Sequence, residues 1–336
     1  MPRFGRTRIM IPINKLRAVL LRLAGAVGIV LAIVAPTAAD DASPLASVTW
    51  LKSHLHDPGL VILDVRSVID GGGDEAYAHG HIPGAIHSDY DKAGWRVTRD
   101  GVPFMLPTIP ELEKLIGDLG IDEASRVVVV PAGVSATDFG AAARVFWTLK
   151  VTGVMRISIL DGGFSAWTSD SSDPVEAGRN APSPTIFSAA IDRSILAETS
   201  DVEQVERSGG ATLVDARSVA LFSGKARAEP ARAYGHIPGA INLDYEALYD
   251  AATNRLKPLA ELERIATSVP RGPLISYCNT GHWAAIDWFV LSELLRRKNA
   301  KLYYGSMAAW TFDTRRPVAS SRTKWDDVKK ILGLGP

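Results

Sequence analysis

The sequence predicts two tandem α/β domains, each with a central parallel sheet flanked by helices. The chain has 336 residues, of which 46% are hydrophobic, and this is enough for the cores of two domains. Residues 78–90 read AHGHIPGAIHSDY and residues 233–245 read AYGHIPGAINLDY, so the chain contains an internal repeat. Short apolar runs alternate with amphipathic helices in both halves, which is typical of a parallel sheet covered on both faces.

The same elements follow one another in each half. A strand-like run ends in an Asp-x-Arg sequence at 64–66 in the first copy and at 215–217 in the second. After the GHIPGA motif, each copy has a helix that begins at a proline, Pro110 or Pro258, and then a buried strand, RVVVVPAG or GPLISYCN. Matching segments, DGGFSAW and YGSMAAW, close the two copies. We therefore expect the same order of strands and helices in both domains.

Changes in composition indicate the domain boundaries. Residues 168–184 are rich in Ser, Pro, Asp and Gly and poor in apolar residues, as a linker between domains would be. We predict a signal peptide at 1–39, a non-catalytic domain at 46–167, a linker at 168–195, a catalytic domain at 196–318 and a C-terminal tail without assigned role at 319–336.

The first residues have the pattern of a secretory signal. A basic stretch precedes the uncharged apolar run 23–34, and the small residues Thr37-Ala38-Ala39 follow, so we expect cleavage after Ala39. An uncleaved membrane anchor is the alternative, but roughly a dozen apolar residues are fewer than the ~20 that a spanning helix needs. We expect an exported, periplasmic protein without stable membrane insertion after cleavage.

Charge and motifs exclude several classes of partner. The 37 basic and 37 acidic residues cancel, so no long-range field favours nucleic acid, and small molecules or proteins fit better as partners. The histidines lack the spacing of metal ligands, and the chain has no phosphate-binding loop. We therefore predict neither a cofactor nor a metal.

The candidate nucleophile is Cys278, which is the only cysteine of the chain and so excludes an internal disulfide. It stands opposite Pro131 when the two copies are aligned, directly after a buried strand. The candidate active-site loop is Asn279, Thr280, Gly281, His282 and Trp283. Loop N–H groups and the following helix N-terminus would stabilise a thiolate, so a reactive cysteine is favoured over a buried structural one.

These motifs together resemble those of tandem rhodanese-domain sulfurtransferases, the thiosulfate and 3-mercaptopyruvate sulfurtransferase family, over residues 46–318. The resemblance implies that Cys278 takes a sulfane sulfur from a small anionic donor such as thiosulfate and holds it as a persulfide. A thiol or cyanide would then accept the sulfur. Phosphatases and arsenate reductases of related fold use a longer Cys-x5-Arg loop, and the absence of that arginine here argues against their chemistry.

The loop departs from the family and leaves the donor open. CNTGHW matches neither the CRKGVT loop of thiosulfate-preferring members nor the CGSGVT loop of mercaptopyruvate-preferring members. The family usually has a donor-binding arginine shortly after the second Asp-x-Arg, where this chain has Ala220-Leu221-Phe222. Lys225, Arg227 and Arg232 are candidates to replace its charge, although a basic surface loop is the commoner explanation of such residues.

Three further site residues carry specific expectations. We expect Asp215 to accept hydrogen bonds from the loop, from Asn279, while Arg217 packs structurally. Because the copy without cysteine has the same Asp-x-Arg pair, an architectural role is favoured for both. His282 is either a switchable cation or hydrogen-bond donor at the cleft, or a helix residue facing solvent.

Two other classes of function stay open. In one, the protein is a persulfide carrier that docks to a sulfur-accepting protein and turns over free donors poorly. In the other, it is an interaction module without catalysis.

Overall fold

A computed structural model describes residues 43–323 of the chain. The predicted signal peptide at 1–39 and the part of the predicted tail beyond residue 323 lie outside these described residues. Within residues 43–323, no helix combines the length and the apolar character that crossing a bilayer requires.

In the described residues each half has seven strands, of which five form a central sheet and two form a separate antiparallel pair. In the first domain the strands are β1 Leu45–Ala46, β2 Leu60–Asp64, β3 Ile86–His87, β4 Val97–Arg99, β5 Val102–Met105, β6 Arg126–Val130 and β7 Arg156–Leu160. In the second domain they are β8 Leu196–Ala197, β9 Thr212–Asp215, β10 Ile241–Asn242, β11 Tyr249–Asp250, β12 Arg255–Leu256, β13 Leu274–Tyr277 and β14 Ala300–Tyr303. The antiparallel pairs are β4–β5 and β11–β12.

Helices connect these strands. The α-helices are α1 Val48–His54, α2 Asp74–His79, α3 Ile109–Asp118, α4 Ala136–Val151, α5 Gly163–Trp167, α6 Thr199–Ser208, α7 Val219–Phe222, α8 Leu259–Ile265, α9 Ala284–Trp288 and α10 Ser306–Trp310. Short 3₁₀ turns occur at Val68–Asp70, Tyr245–Leu248 and Ala266–Ser268, and α9 continues into a π-helical segment at Phe289–Leu294.

The sheet order confirms the predicted fold class. The first sheet has the order β1-β7-β6-β2-β3 and the second β10-β9-β13-β14-β8, so the two orders are equivalent, and the strands within each are parallel. The central strands are buried on both faces; Val127 to Val130 of β6, for example, are fully covered. Neighbouring parallel strands end at one edge, which brings the Asp-x-Arg segment and the Cys278 loop together.

The two sheets share one apolar core. Phe289, after α9, packs its ring 5.7 Å from that of Phe139 and 5.0 Å from that of Phe146, which both belong to α4 of the first domain. Trp288 is fully buried in the same cluster. Because α9 directly follows the Cys278 loop, this packing brings helix α4 next to the candidate site.

A closing segment follows the last helix of each domain and folds back on the GHIPGA motif of that domain. His81 exchanges two backbone hydrogen bonds with Glu176, both 2.9 Å, and His236 exchanges two with Ala319, also 2.9 Å. The predicted linker is further bound to the first domain, for example by the N–H of Ala190, which donates to the carbonyl of Thr152. The chain after α5 is therefore held against its own domain.

Candidate active site

Cys278 lies at the carboxyl end of β13 and is 1% exposed. Its N–H donates to Oγ of Ser306 at 3.0 Å, and its carbonyl accepts from the N–H of Met307 at 3.0 Å. The N–H of Ala308 likewise donates to the carbonyl of Asn279. The start of helix α10 therefore fixes the backbone around the sulfur.

The loop after Cys278 requires glycine at position 281. Gly281 has φ +73°, a left-handed conformation that L-residues with a Cβ rarely adopt. A Cβ there would lie 2.5 Å from the carbonyl oxygen of Tyr304 and 2.8 Å from its Cα. The loop thus packs its backbone directly against the end of β14.

The turn exposes a run of backbone donors that no protein group uses. Within the described part of the chain, the N–H groups of residues 279–283 have no hydrogen-bond acceptor. Buried backbone donors are almost always satisfied. The site is therefore prepared to donate hydrogen bonds to a group that residues 43–323 do not supply.

The equivalent loop of the first domain shows what such donors bind. Asp138 is 1% exposed, and its carboxylate accepts from the N–H groups of Ala132 at 2.9 Å, Gly133 at 2.5 Å and Val134 at 3.1 Å. Burial raises the pKa of Asp138 to about 6, although these hydrogen bonds act in the opposite direction. At neutral pH the first loop thus encloses a carboxylate anion.

The second domain lacks that internal anion. Asp138 comes seven residues after Pro131, and the residue seven positions after Cys278 is Ala285, which has no acceptor in its side chain. Successive N–H groups in such a turn form a concave anion site. In the second domain the sulfur of Cys278 stands at the start of the equivalent site. The position that the Asp138 carboxylate occupies in the first domain is therefore open to another anion.

The first domain also holds the loop through His282, which is 5% exposed. Nε2 of His282 lies 2.8 Å from the carbonyl oxygen of Thr137, and Nδ1 lies 2.9 Å from the hydroxyl of Tyr90. A Cβ on Gly140 would come within 2.9 Å of Nε2, so glycine allows α4 to approach the ring. His282 is therefore enclosed by first-domain residues.

Trp283 continues this contact between the domains. Its indole N–H donates to Oγ1 of Thr137 at 3.3 Å, and its ring stacks on Tyr245 with 4.7 Å between centroids. Tyr90 and Tyr245 end the two copies of the repeated sequence, and they contact the adjacent loop residues 282 and 283 from different domains. The internal repeat thus supplies one tyrosine from each side.

The expectations that His282 is a switchable cation or faces solvent are wrong. Because the carbonyl of Thr137 can only accept, Nε2 carries a proton, and in the neutral ring Nδ1 then accepts from the hydroxyl of Tyr90. Burial lowers the pKa of His282 to about 3, and the charges of Arg96 and Arg144 act in the same direction. The ring is a neutral link between the domains, and its Nε2–H is a donor to the first domain.

We expect the His282→Gln variant to differ from the wild type mainly in the pH dependence of stability. The folded pKa lies below the ordinary value of 6.5, so unfolding takes up a proton, and the contribution of His282 to stability falls as the pH drops from 6.5 towards 3. Between pH 7.5 and 4.5, the wild type should lose about 3 kcal/mol of free energy of unfolding relative to the variant.

Urea unfolding of both proteins across this pH range measures the difference. Glutamine can still donate to the carbonyl of Thr137, so the variant is expected to fold. Parallel stability curves would contradict a buried, neutral His282.

The contact expected between Asp215 and Asn279 is not formed. The carboxylate of Asp215 is occupied by Arg217, whose Nε and Nη2 donate to it at 2.8 and 2.6 Å. Arg217 itself reaches the loop, because its Nη1 donates to Oδ1 of Asn279 at 3.4 Å. The reason is that both oxygens of Asp215 accept from Arg217, while Nη1 of the same guanidinium binds Asn279.

The three candidate donor-binding cations are all exposed. Arg227 donates to the carbonyl of Ala231 and lies over the ring of Tyr234 at 5.5 Å. Arg232 lies over the ring of Phe312 at 3.9 Å. Within residues 43–323, neither Lys225 nor the two arginines form a hydrogen bond or an ion pair with the Cys278 loop.

The sequence interpretation missed the residues of the first domain that line the site. Besides Tyr90 and Thr137, Arg144 donates from Nη1 to the carbonyls of Thr280 and Gly281, at 3.2 and 3.1 Å. One signal was available for Arg144: it is a charged residue inside the apolar run AAARVFW, whose residues are all buried. Arginine in such a run needs a specific reason.

A cleft of about 400 Å³ lies between residues of the two domains, and none of residues 278–283 lines it. Residues 134–137 of the first domain form one wall, and Tyr245, Glu246 and Tyr249 of the second domain lie on the other. Thr137 and Tyr245 are also the two residues that hold the indole of Trp283. The cleft therefore adjoins the active-site loop at the junction of the domains.

Known proteins match both halves of the chain. The family model of the rhodanese-like domain matches residues 47–170 and 198–313. A 3-mercaptopyruvate sulfurtransferase from Escherichia coli is 30% identical over 279 residues, covering 80% of this chain and 95% of that protein. A thiosulfate sulfurtransferase from Corynebacterium glutamicum is 30% identical over 299 residues, covering 84% and 93%. The crystal structure of SseA from Escherichia coli superimposes with a TM-score of 0.64 at 28% identity, covering 79% and 98%.

Proposed function

The chain belongs to the rhodanese-like sulfurtransferases, and we propose that it moves a sulfane sulfur from a small anionic donor to a thiophilic acceptor through a persulfide on Cys278. The observation that carries this proposal is the set of backbone donors at 279–283 without an acceptor in the described residues. In the first domain the equivalent donors hold the carboxylate of Asp138. A negatively charged outer sulfur on Cys278 is the anion that fits this position.

The proposed reaction has two balanced steps. The thiolate of Cys278 attacks the outer sulfur of thiosulfate, a new S–S bond forms, and the S–S bond of the donor breaks with its electron pair leaving on sulfite. The persulfide anion remains on the enzyme. Cyanide or a thiolate then attacks the outer sulfur, so that thiocyanate or a new persulfide leaves and the Cys278 thiolate is restored.

The burial of Cys278 favours small reactants. With 1% of its surface exposed, the sulfur is reachable by an ion such as thiosulfate or cyanide more easily than by a thiol on a folded protein. Thiosulfate is the first donor to test. Mercaptopyruvate is the second, because one relative is named for that substrate.

We expect the wild-type protein to gain the mass of one sulfur atom on incubation with thiosulfate, and to lose it when cyanide is added. The Cys278→Ser variant should show no gain, because a serine hydroxyl cannot form the persulfide. Intact mass spectrometry measures both. The same spectra show whether residues 1–39 have been removed from the exported protein.

No mass gain in the wild type with thiosulfate, mercaptopyruvate or a persulfide donor would contradict sulfur transfer. Loading that is discharged by a protein acceptor, but not by cyanide or small thiols, would instead favour the persulfide-carrier alternative. Gain of sulfur by the serine variant would place the acceptor elsewhere in the chain.

We also propose that the protein acts after export, in the periplasm of a Gram-negative cell. The basic stretch, the apolar run 23–34 and the small residues at 37–39 support this proposal. Lying outside the described residues, they support it through sequence alone.

A further inference from the structure

Arg144 is a buried cation without an acidic partner. It is fully buried in helix α4, and no carboxylate of residues 43–323 forms an ion pair with it. Among the same residues, its Nε and Nη2 atoms have no hydrogen-bond partner. Buried charges are normally paired, because the loss of hydration costs several kcal/mol per ion. A fully buried guanidinium in this state indicates that an anion belongs beside it.

Arg144 orients the loop through Nη1, the guanidinium nitrogen that donates hydrogen bonds in the described residues. Its Nη1 donates to the carbonyl oxygens of Thr280 and Gly281. Because a trans peptide is planar, with its C=O and N–H on opposite sides, these two carbonyls turn the N–H groups of Gly281 and His282 away from Arg144. Both N–H groups belong to the set that has no acceptor in the described residues.

The neighbouring groups identify the anion. Burial lowers the pKa of Arg144 to about 10, so it stays charged at neutral pH, and the groups whose negative forms raise this pKa are Tyr90, Cys278 and Tyr304. Burial also raises the pKa of both tyrosines, which are therefore neutral. Cys278, which stands at the start of the loop that Arg144 binds, is the remaining group that can carry the counter-charge. Arg217, the other buried cation that binds this loop, is already paired with Asp215.

We propose that Arg144 of the first domain is a positioning residue for sulfur transfer, which balances the charge of the Cys278 thiolate and persulfide and holds the loop N–H groups towards the sulfur. The part of this proposal that concerns the persulfide rests on the function proposed above. The first domain thereby supplies buried positive charge at the site, whereas the exposed cations at 225, 227 and 232 form no bond with the loop.

The test uses the Arg144→Gln and Arg144→Lys variants of the full chain. For each, the rate of Cys278 alkylation by iodoacetamide, a neutral reagent, is followed against pH. Arg144→Gln removes the charge and should move the midpoint of the profile upward by about one unit, which is a tenfold smaller thiolate fraction below the midpoint. Arg144→Lys keeps the charge and should stay close to the wild type.

Lys150→Gln is the matched control. Lys150 lies on the same helix and also binds the second domain, through Glu293 at 2.6 Å, but it does not touch the Cys278 loop. Glutamine can still donate to Glu293. This variant should keep the wild-type midpoint, so a shift seen only at position 144 reports the local charge.

Every other outcome overturns the proposal. If Arg144→Gln folds and keeps the wild-type midpoint of the alkylation profile, the charge of Arg144 has no role at Cys278. The same conclusion follows if Arg144→Lys shifts the midpoint as much as Arg144→Gln does. Failure of Arg144→Gln to fold would make the role structural, because no buried carboxylate is left unpaired by this change. Alkylation needs no sulfur donor, so the result is independent of whether the wild type forms a persulfide.

Discussion

Replacing Gly281 by alanine is expected to reduce sulfur transfer at least about 100-fold. The new Cβ would lie 2.5 Å from the carbonyl oxygen of Tyr304 and would also meet Nη1 of Arg144, so the loop must move away from β14. A displacement of ~1 Å in a reacting group can cost about 10²-fold in rate. Steady-state transfer of sulfur from thiosulfate to cyanide measures the effect.

Gly239→Ala provides the matched control for this change. Gly239 has nearly the same backbone conformation, with φ +79°, and belongs to the same domain, but nothing lies within 4 Å of its Cβ position. Both alanines should cost roughly 1–2 kcal/mol of stability through the left-handed conformation. Equal losses of sulfur transfer in the two variants would show that strain, and not the position of the loop, determines activity.

Arg217→Met is expected to lower the free energy of unfolding by about 3–5 kcal/mol, because it leaves the buried carboxylate of Asp215 without a partner. Arg66→Met should cost a similar amount, since Arg66 pairs with the equally buried Asp64. Urea unfolding measures both changes.

The two variants should differ at the active site. Only Arg217 reaches the loop, through Oδ1 of Asn279, so only Arg217→Met should alter the alkylation rate of Cys278 in the folded protein. Each arginine also donates to the carbonyl of the glycine before its HIPGA sequence, Gly80 or Gly235, and Arg66 in addition lies 4.1 Å from the ring centroid of Phe164. A change of the alkylation rate in Arg66→Met as well would assign the effect to stability.

The sequence was sufficient to predict the fold and to select the candidate nucleophile because both depend on local pattern. The repeat predicts two similar domains, and apolar runs such as RVVVVPAG and GPLISYCN predict central parallel strands. Cys278 is identified by its place after such a strand, where sites of α/β sheets form. These inferences need no knowledge of how the two domains pack.

The surroundings of the nucleophile depend on that packing and could not be predicted. Thr280 is 136 positions from Arg144, and no periodicity connects them. His282 has the sequence context of an exposed residue at the start of a helix, but helix α4 covers it. The exposed cations near Arg227 were candidates because they follow the second Asp-x-Arg in sequence, whereas the buried cation comes from the other domain.

The carboxylate of Asp138 within the first loop has a consequence for the history of the chain. In the first domain, which lacks the cysteine, the carboxylate of Asp138 occupies the anion site. Tyr90, Thr137 and Arg144 of this domain nevertheless bind the loop of the second domain. A recombination event that separated the halves would leave the cysteine loop without these neighbours. Because the cysteine and the residues that bind its loop stand in different copies of the repeat, we expect the two copies to be inherited together.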